Sequence, residues 1–383
     1  MKIRVGIAGQ RGGAFITGLR ALPQVEVTAL CDINAETVNR QGEEFGVAGR
    51  YTKFAEMLDA VDAVVVATPM QLHAPQAILA LQAGKHVLSE VTAAVSLNEC
   101  WRLADAVKSS GKTYMLSENY CYTRDNVQVR EMARQGLFGD VYFGEGEYLH
   151  DVKGLHHYAD GSPTWRYYWQ VGQNGSTYPT HSLGPVMQWF NAVHPDERIA
   201  TVSCLGTGRH TDPEHPHDDT SILLCQTTGG RLIEIRVDML SNRPHQMNYY
   251  ALQGTHGVYE ASRIAGQPGN VWIGGEDANR DDHRKWQPLP DYAEFLPEEW
   301  RNPPEEAKRA GHGGGDYWII RDWISAIETG TPPPIDIYTG LEWTAAGLCS
   351  QLSIANNGAS IRVPDFRDLT QRPLTLDAPL VVV

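Results

Sequence analysis

No stretch of this 383-residue sequence approaches the ~20 consecutive apolar residues that a membrane-crossing helix needs. Positive charge is also short. The 32 Lys and Arg stand against 46 Asp and Glu, a formal net charge of −14. A nucleic-acid partner would need a basic face, so that class is excluded. Cysteine is sparse and unpatterned: Cys31, Cys100, Cys121, Cys204, Cys225 and Cys349 form no C-x-x-C. Reduced thiols in a cytoplasmic protein, most of them small buried hydrophobes, are the expectation. Internal repeats and low-complexity tracts are missing too. The chain enters a strand directly at its start, which predicts no leader segment. Its length is too great for one ordinary core, so two domains are expected.

What the chain does have is concentrated first in residues 2–32. Ile3, Val5, Ile7 and Ala8 make a short apolar run suited to a buried parallel strand. Gly9, Gly12 and Gly13 follow, where backbone N–H groups can approach an anion. Ala14, Ile16 and Leu19 give a helical face, and Val25, Val27, Ala29 and Leu30 a second strand ending at Asp32. An acidic residue at that distance is placed for the hydroxyls of an adenosine ribose, and it disfavours a 2′-phosphate. The pattern predicts an NAD site built by Gly9, Gln10, Arg11, Gly12 and Asp32. The middle glycine of G-x-G-x-x-G is replaced by Arg11, whose side chain can reach the pyrophosphate.

Strand and helix alternate to about residue 120. Asp62–Thr68, Lys85–Glu90 and Tyr114–Ser117 read as strands. His73–Ala83 reads as a helix closed by Gly84, and Ser96–Ser109 as one opened by a Ser96/Glu99 capping box and closed by Gly111. This predicts an α/β Rossmann domain, a doubly wound parallel sheet over residues 1–122. Residues 123–383 predict an α+β domain with an open, mostly antiparallel sheet, from strands at 141–148, 199–206, 221–227, 231–239, 248–253 and 258–260 with helices at 124–136, 182–193 and 316–329. The polar excursion at 262–310 reads as a surface loop or an oligomer contact.

The glycine turn, Asp32, the TPMQLH segment from Thr68 to His73, Glu90 and Asn119, followed by an antiparallel α+β domain, resemble the Gfo/Idh/MocA oxidoreductase family. TYPTHSLGP (Thr177–Pro185), RP at Arg243–Pro244, LQGTHG (Leu252–Gly257), GHGGGDY (Gly311–Tyr317), SIANNGASIRVPDF (Ser353–Phe366), EVTAAVSLNECW (Glu90–Trp101) and SENYCY (Ser117–Tyr122) resemble its NAD-dependent glycoside hydrolase family 109, which includes α-N-acetylgalactosaminidases. The resemblance implies glycoside hydrolysis by transient oxidation at sugar C3, elimination across C1–C2, water addition and re-reduction, with tightly bound NAD recycled. It implies a carbohydrate or glycoside substrate, no metal, and a homodimer or homotetramer. The broad family usually carries Glu-Lys-Pro after its fifth strand, and here the triplet is Glu90-Val91-Thr92. The missing Lys disfavours the alternative, a net-redox sugar dehydrogenase; a non-catalytic NAD-binding sensor is a third reading.

The resemblance assigns roles residue by residue. Tyr178 and His181 are the acid–base pair, three apart at a helix start entered through Pro179. A buried structural Tyr/His pair is the alternative. Tyr122, and less firmly Tyr120, add a hydroxyl near the nicotinamide. Thr68 and Pro69 line the cofactor through backbone, while His73, Glu90 and Asn119 sit at its nicotinamide end; a helix-capping His73 and a surface Glu90 are the alternatives. Trp165 and Arg166 offer a sugar platform with a charged donor, or else a core Trp and a surface Arg. His245 replaces the tyrosine of an Arg-Pro-Tyr near the sugar. The loop after Tyr148, with His150, Asp151, His156 and His157, is peculiar to this chain; His210, His215, His217, Asp218 and Asp219 suggest a metal cluster, but their Pro-rich, acidic loop reads as a solvated turn.

Overall fold

The computed structural model of the chain describes residues 2–245, 249–275 and 286–373. Its first six strands are β1 (Ile3–Ala8), β2 (Val25–Cys31), β3 (Gly49–Tyr51), β4 (Ala63–Val66), β5 (His86–Glu90) and β6 (Tyr114–Ser117). Helices α1 (Ile16–Arg20), α2 (Ala35–Glu44), α3 (Phe54–Leu58), α4 (His73–Gln82) and α5 (Leu97–Ser110) connect them. Every pairing is parallel, in the order β3-β2-β1-β4-β5-β6. This is the doubly wound sheet the alternation predicted, and its order reverses at β1/β4, where such folds bind ligands. The α5 capping box is formed. The Ser96 hydroxyl accepts the Glu99 amide at 3.2 Å, and the Glu99 carboxylate accepts the Val95 amide at 2.9 Å. Gly111 closes α5 at φ 63°. The first helix differs from expectation. Residues Gln10–Phe15 wind as a 3-10 turn and α1 holds only five residues, because Gly12 and Gly13 are poor helix formers.

The chain continues with α6 (Arg124–Arg134), β7 (Val141–Leu149), α7 (Thr180–Val193), β8 (Ile199–Gly206), β9 (Thr220–Thr227), β10 (Leu232–Asp238), β11 (Tyr250–Gly254), β12 (Gly257–Glu260), β13 (Asn270–Ile273) and β14 (Trp286–Pro288). Short helices α8 (Glu298–Arg301) and α9 (Glu305–Arg309), long helices α10 (Gly315–Thr329) and α11 (Ile337–Ala355), and β15 (Ile361–Arg362) complete it. The nine described strands of this second sheet run β14-β13-β12-β11-β7-β10-β9-β8-β15. All neighbours are antiparallel except β7 and β10. Residues 262–310 are not simply a loop: β13 and β14 extend the sheet from within them, and Gln128 donates to Leu289 O at 2.7 Å.

The chain forms two compact units. The first takes residues to Asn119, then Pro304–Ala345 and the described residues from Pro364. The second takes Tyr120–Pro303 and Ala346–Val363, so the helix α11 contributes to both. Contacts inside the first unit give the reason. Helix α10 lies so close on α1 that a Cβ at Gly18 would sit 2.7 Å from the Ile320 Cδ1. The Leu116 amide of β6 donates to Ile335 O at 3.1 Å. Phe366 packs edge-on against Trp101 at 4.8 Å, and Arg372 pairs with Asp105 at 2.7 Å.

Candidate active site

In the first unit the β1 turn is shaped by glycine. Gly9 has φ 91°, and a Cβ there would lie 2.3 Å from Ala67 O. A Cβ at Gly12 would lie 2.3 Å from Ile7 Cγ2. Both positions therefore exclude a side chain. Position 11 does not: the Arg11 side chain is 45% exposed, with Nη2 3.9 Å from Glu90 Oε1. This is why the fingerprint tolerates Arg where glycine is usual. Gln10 is exposed, and its carbonyl accepts Gln41 Nε2 at 3.0 Å. Asp32 ends β2, its Oδ1 accepting the Asn34 amide at 2.9 Å. Ile33 beside it is 82% exposed, an apolar surface suited to an adenine ring that the sequence reading passed over. Asn119 is buried with its Oδ1 unpartnered, so it can take a carboxamide N–H.

His73 is corrected. Its Nδ1 lies 2.8 Å from Thr92 O and its Nε2 2.7 Å from Thr68 O, with the ring 2% exposed. Both nitrogens face carbonyls, and the neutral ring donates to one of them. The ring lies between the Thr68–Pro69 segment and the segment after Glu90. Burial holds its pKa below the ordinary histidine value, although the two carbonyls oppose that. Thr68 Oγ1 donates to Gln76 Oε1 at 2.8 Å.

The second unit gathers Tyr178 and His181 through a close helix–strand contact. Gly144, Gly146 and Tyr148 alternate along β7 and share one face. A Cβ at Gly144 would sit 2.5 Å from Val186 Cγ1, and one at Gly146 2.5 Å from Ser182 O. With neither present, α7 lies down on β7, and its first turn brings His181 to Tyr148 with ring centroids 5.2 Å apart. Tyr178 meets His181 edge-on at 5.2 Å and Tyr148 at 5.5 Å, and Tyr120 lies 4.5 Å from His181. Tyr250 fixes the turn by donating to His181 O at 2.6 Å. His181 is thus surrounded by three phenols. Tyr120, ranked behind Tyr122 by sequence, is the one packed on the imidazole; Tyr122 is buried two residues further on. Tyr148 was missed, and its signal was the small-residue alternation of GEGEY.

His150 extends this cluster, 5.6 Å from Tyr148 and 4.3 Å from the exposed His245. Burial, then the His245, Arg166 and His181 charges, bring its pKa down to about 4, so it is neutral at pH 7. Arg166 lies over the Trp165 ring at 4.5 Å and donates to Gln170 Oε1 at 2.5 Å. One face of the expected sugar platform is therefore covered by its own neighbour.

The histidines at 215 and 217 do not lie in a solvated turn. Both are fully buried. His215 stacks on His156 at 5.3 Å, with Tyr167 edge-on at 4.9 Å. Beside them Tyr167, Tyr168, Trp169, Gly172, Gln173 and Pro216 line a cavity of about 340 Å³. Asp219 instead caps its loop, accepting the His210 and Thr211 amides. Among the described residues no three His, Cys, Asp or Glu converge as metal ligands. All six cysteines are buried and unbridged.

Residues 122–370 match the family described as glycosyl hydrolase 109, C-terminal domain, and residues 3–118 match the oxidoreductase family, NAD-binding Rossmann fold. A glycosyl hydrolase family 109 protein of Shewanella pealeana is 32% identical, over 95% of this chain and 85% of that protein. A Shewanella oneidensis protein named alpha-N-acetylgalactosaminidase is 32% identical over the same shares. Among solved structures, a levoglucosan dehydrogenase in complex with NADH is similar at TM-score 0.79 and 19% identity, over 95% of this chain and all of that one. That likeness concerns the fold.

Proposed function

The chain belongs to glycosyl hydrolase family 109, with the NAD-binding Rossmann fold of the Gfo/Idh/MocA oxidoreductases, and on that premise we propose that it hydrolyses glycosides with a recycled, tightly held NAD. The Tyr178–His181 pair, packed against Tyr120 and Tyr148, is the observation that carries this reading. The first unit fits the cofactor: Asp32 at the end of β2 would accept the ribose hydroxyls, Arg11 is exposed beside the glycine turn, and Asn119 Oδ1, buried without a partner, would take a carboxamide N–H. When bound, NAD⁺ supplies a hydride acceptor at sugar C3 and returns the same hydride at the end of the cycle. The ketone acidifies the C2 hydrogen. Tyr178 and His181 share the proton traffic at O3, at C2 and at the leaving oxygen on C1, since a phenol beside an imidazole can both give and take a proton near neutral pH. His150, neutral, can accept a hydrogen bond from the substrate. No flanking carboxylate pair is required. Position 91 is Val, so no lysine stands where dehydrogenases of the wider family keep one.

The substrate is a carbohydrate glycoside. The protein also self-associates in this reading: Leu205, Leu224 and Leu232 are exposed on one face of the nine-stranded sheet, where a second copy can cover them. Light scattering should give a dimer or tetramer. The catalytic reading is tested by incubating the purified protein with aryl glycosides and no added NAD, following aglycone release and NADH absorbance together. Release with no net NADH is expected. Stoichiometric NADH without release would replace this reading with a net-redox sugar dehydrogenase.

A further inference from the structure

The segment Gly311–Gly315 in the first unit is used by none of the chemistry above, and its backbone is unusual. His312, Gly313 and Gly314 are three successive left-handed residues, at φ 53°, 64° and 99°. Glycine adopts that region freely, but histidine does so at a cost. The conformation delivers the His312 ring to Asp316 in the first turn of α10. Nδ1 donates to Asp316 Oδ1 at 2.9 Å. Asp316 is 1% exposed, and its Oδ2 has no hydrogen-bond partner. Gly311 is needed for this, because a Cβ there would sit 2.3 Å from that oxygen. A carboxylate this buried requires a cation beside it, and the imidazole is the group the loop brings to it. The ring itself stays a third exposed.

The surroundings of His312 are those of the glycine turn. Its charge interacts with Asp316, Arg11 and Glu90. Arg11 and Glu90 are themselves 3.9 Å apart. Two basic side chains, each with an acidic companion, therefore stand by the turn that follows β1, in which Arg11 itself is exposed. A dinucleotide presents one group of matching chemistry, its diphosphate. We propose that the Asp316-oriented imidazole of His312 closes with Arg11 on the diphosphate of the bound dinucleotide. Asp316 is a positioning residue in this arrangement, and His312 is a direct contact. The proposal rests on the reading of the first unit as an NAD site. It supplies a physical reason for tight retention: two side-chain cations are added to the backbone donors of the turn.

The test uses NAD-depleted full-length protein and calorimetric titration with NAD⁺, ADP-ribose and adenosine. His312→Asn removes the charge while keeping a residue that tolerates left-handed backbone. It should weaken NAD⁺ and ADP-ribose tenfold or more and change adenosine less than twofold. In the wild type, affinity for NAD⁺ should fall as pH rises through and above the ordinary histidine range and the imidazolium loses its proton, while the slope should flatten in His312→Asn and shift to lower pH in Asp316→Asn. Equal weakening of all three ligands, or unchanged NAD⁺ affinity in a folded variant, overturns the clamp. If His312→Asn does not fold, the wild-type pH profile decides, and an NAD⁺ affinity that tracks adenosine across it overturns the proposal. Failure of the wild type to bind either NAD⁺ or ADP-ribose overturns the cofactor reading and the clamp together. NAD⁺ affinity left unchanged by His312→Asn overturns the clamp alone.

Discussion

At the scale of single residues, the positions that matter most are those where a side chain is spent or excluded. His73 turns both ring nitrogens to main-chain carbonyls, so its contribution is structural. His73→Leu removes the one N–H that a neutral ring donates to a main-chain carbonyl, which costs about 1–3 kcal/mol. Urea unfolding should show a destabilisation of roughly that size, and a variant as stable as the wild type would refute the structural role. The His73 tie was not legible from TPMQLH, because both acceptors are main-chain carbonyls, one of them nineteen residues away. Asp32 was legible, since its place depends only on local strand and turn spacing. So was the Tyr178–His181 pair, which a single helix entry holds together. Tyr148 and Tyr120 were not, because their approach depends on Gly144 and Gly146 admitting α7 to β7, a packing event between elements distant in sequence.

At the scale of elements, the parallel sheet was readable because its strands are short buried runs closed by Gly84, Gly111 or a carboxylate. The second sheet was readable in composition but not in order. Alternation locates β7 and β10 but does not reveal that they pair in parallel. Helix α11 has apolar residues on most of its faces, and without an amphipathic stripe its sequence announces burial more than helix. The C-terminal elements decide the first unit's stability. Trp318, Ile319, Ile320, Trp323, Ile324 and Ile335 are all buried, and all come from Pro304–Ala345. A fragment of residues 1–122 loses this cover from α1 and β6. Expressed alone, it should be insoluble or molten by near-ultraviolet circular dichroism, whereas addition of residues 304–373 through a linker should restore a cooperative melt. A well-folded 1–122 fragment would show that the C-terminal packing is dispensable.

At the scale of the whole molecule, histidine burial sets the response to acid. His73, His86, His150, His156, His215 and His217 all have pKa values held below the ordinary one, chiefly by burial, with His150 and His156 at about 4. Between pH 6.5 and 4 the unfolded chain binds protons that the folded chain refuses, so stability falls as pH falls. His312 runs the other way. Asp316 raises its pKa, so its contribution is present below the unfolded value and lost as pH rises. The larger set wins, and the melting midpoint should drop by roughly 5–10 °C from pH 7.5 to pH 5. An unchanged midpoint would show these rings protonated in the fold. The split first unit also sets an order of manufacture. The ribosome delivers its six strands first, then every residue from Tyr120 to Pro303, and only afterwards the helix α10 that covers α1. At about 5–20 residues per second, the half-built Rossmann layer waits on the order of ten seconds or more with apolar surface uncovered. Until α10 arrives, the nascent chain is a client for whatever chaperone shields it.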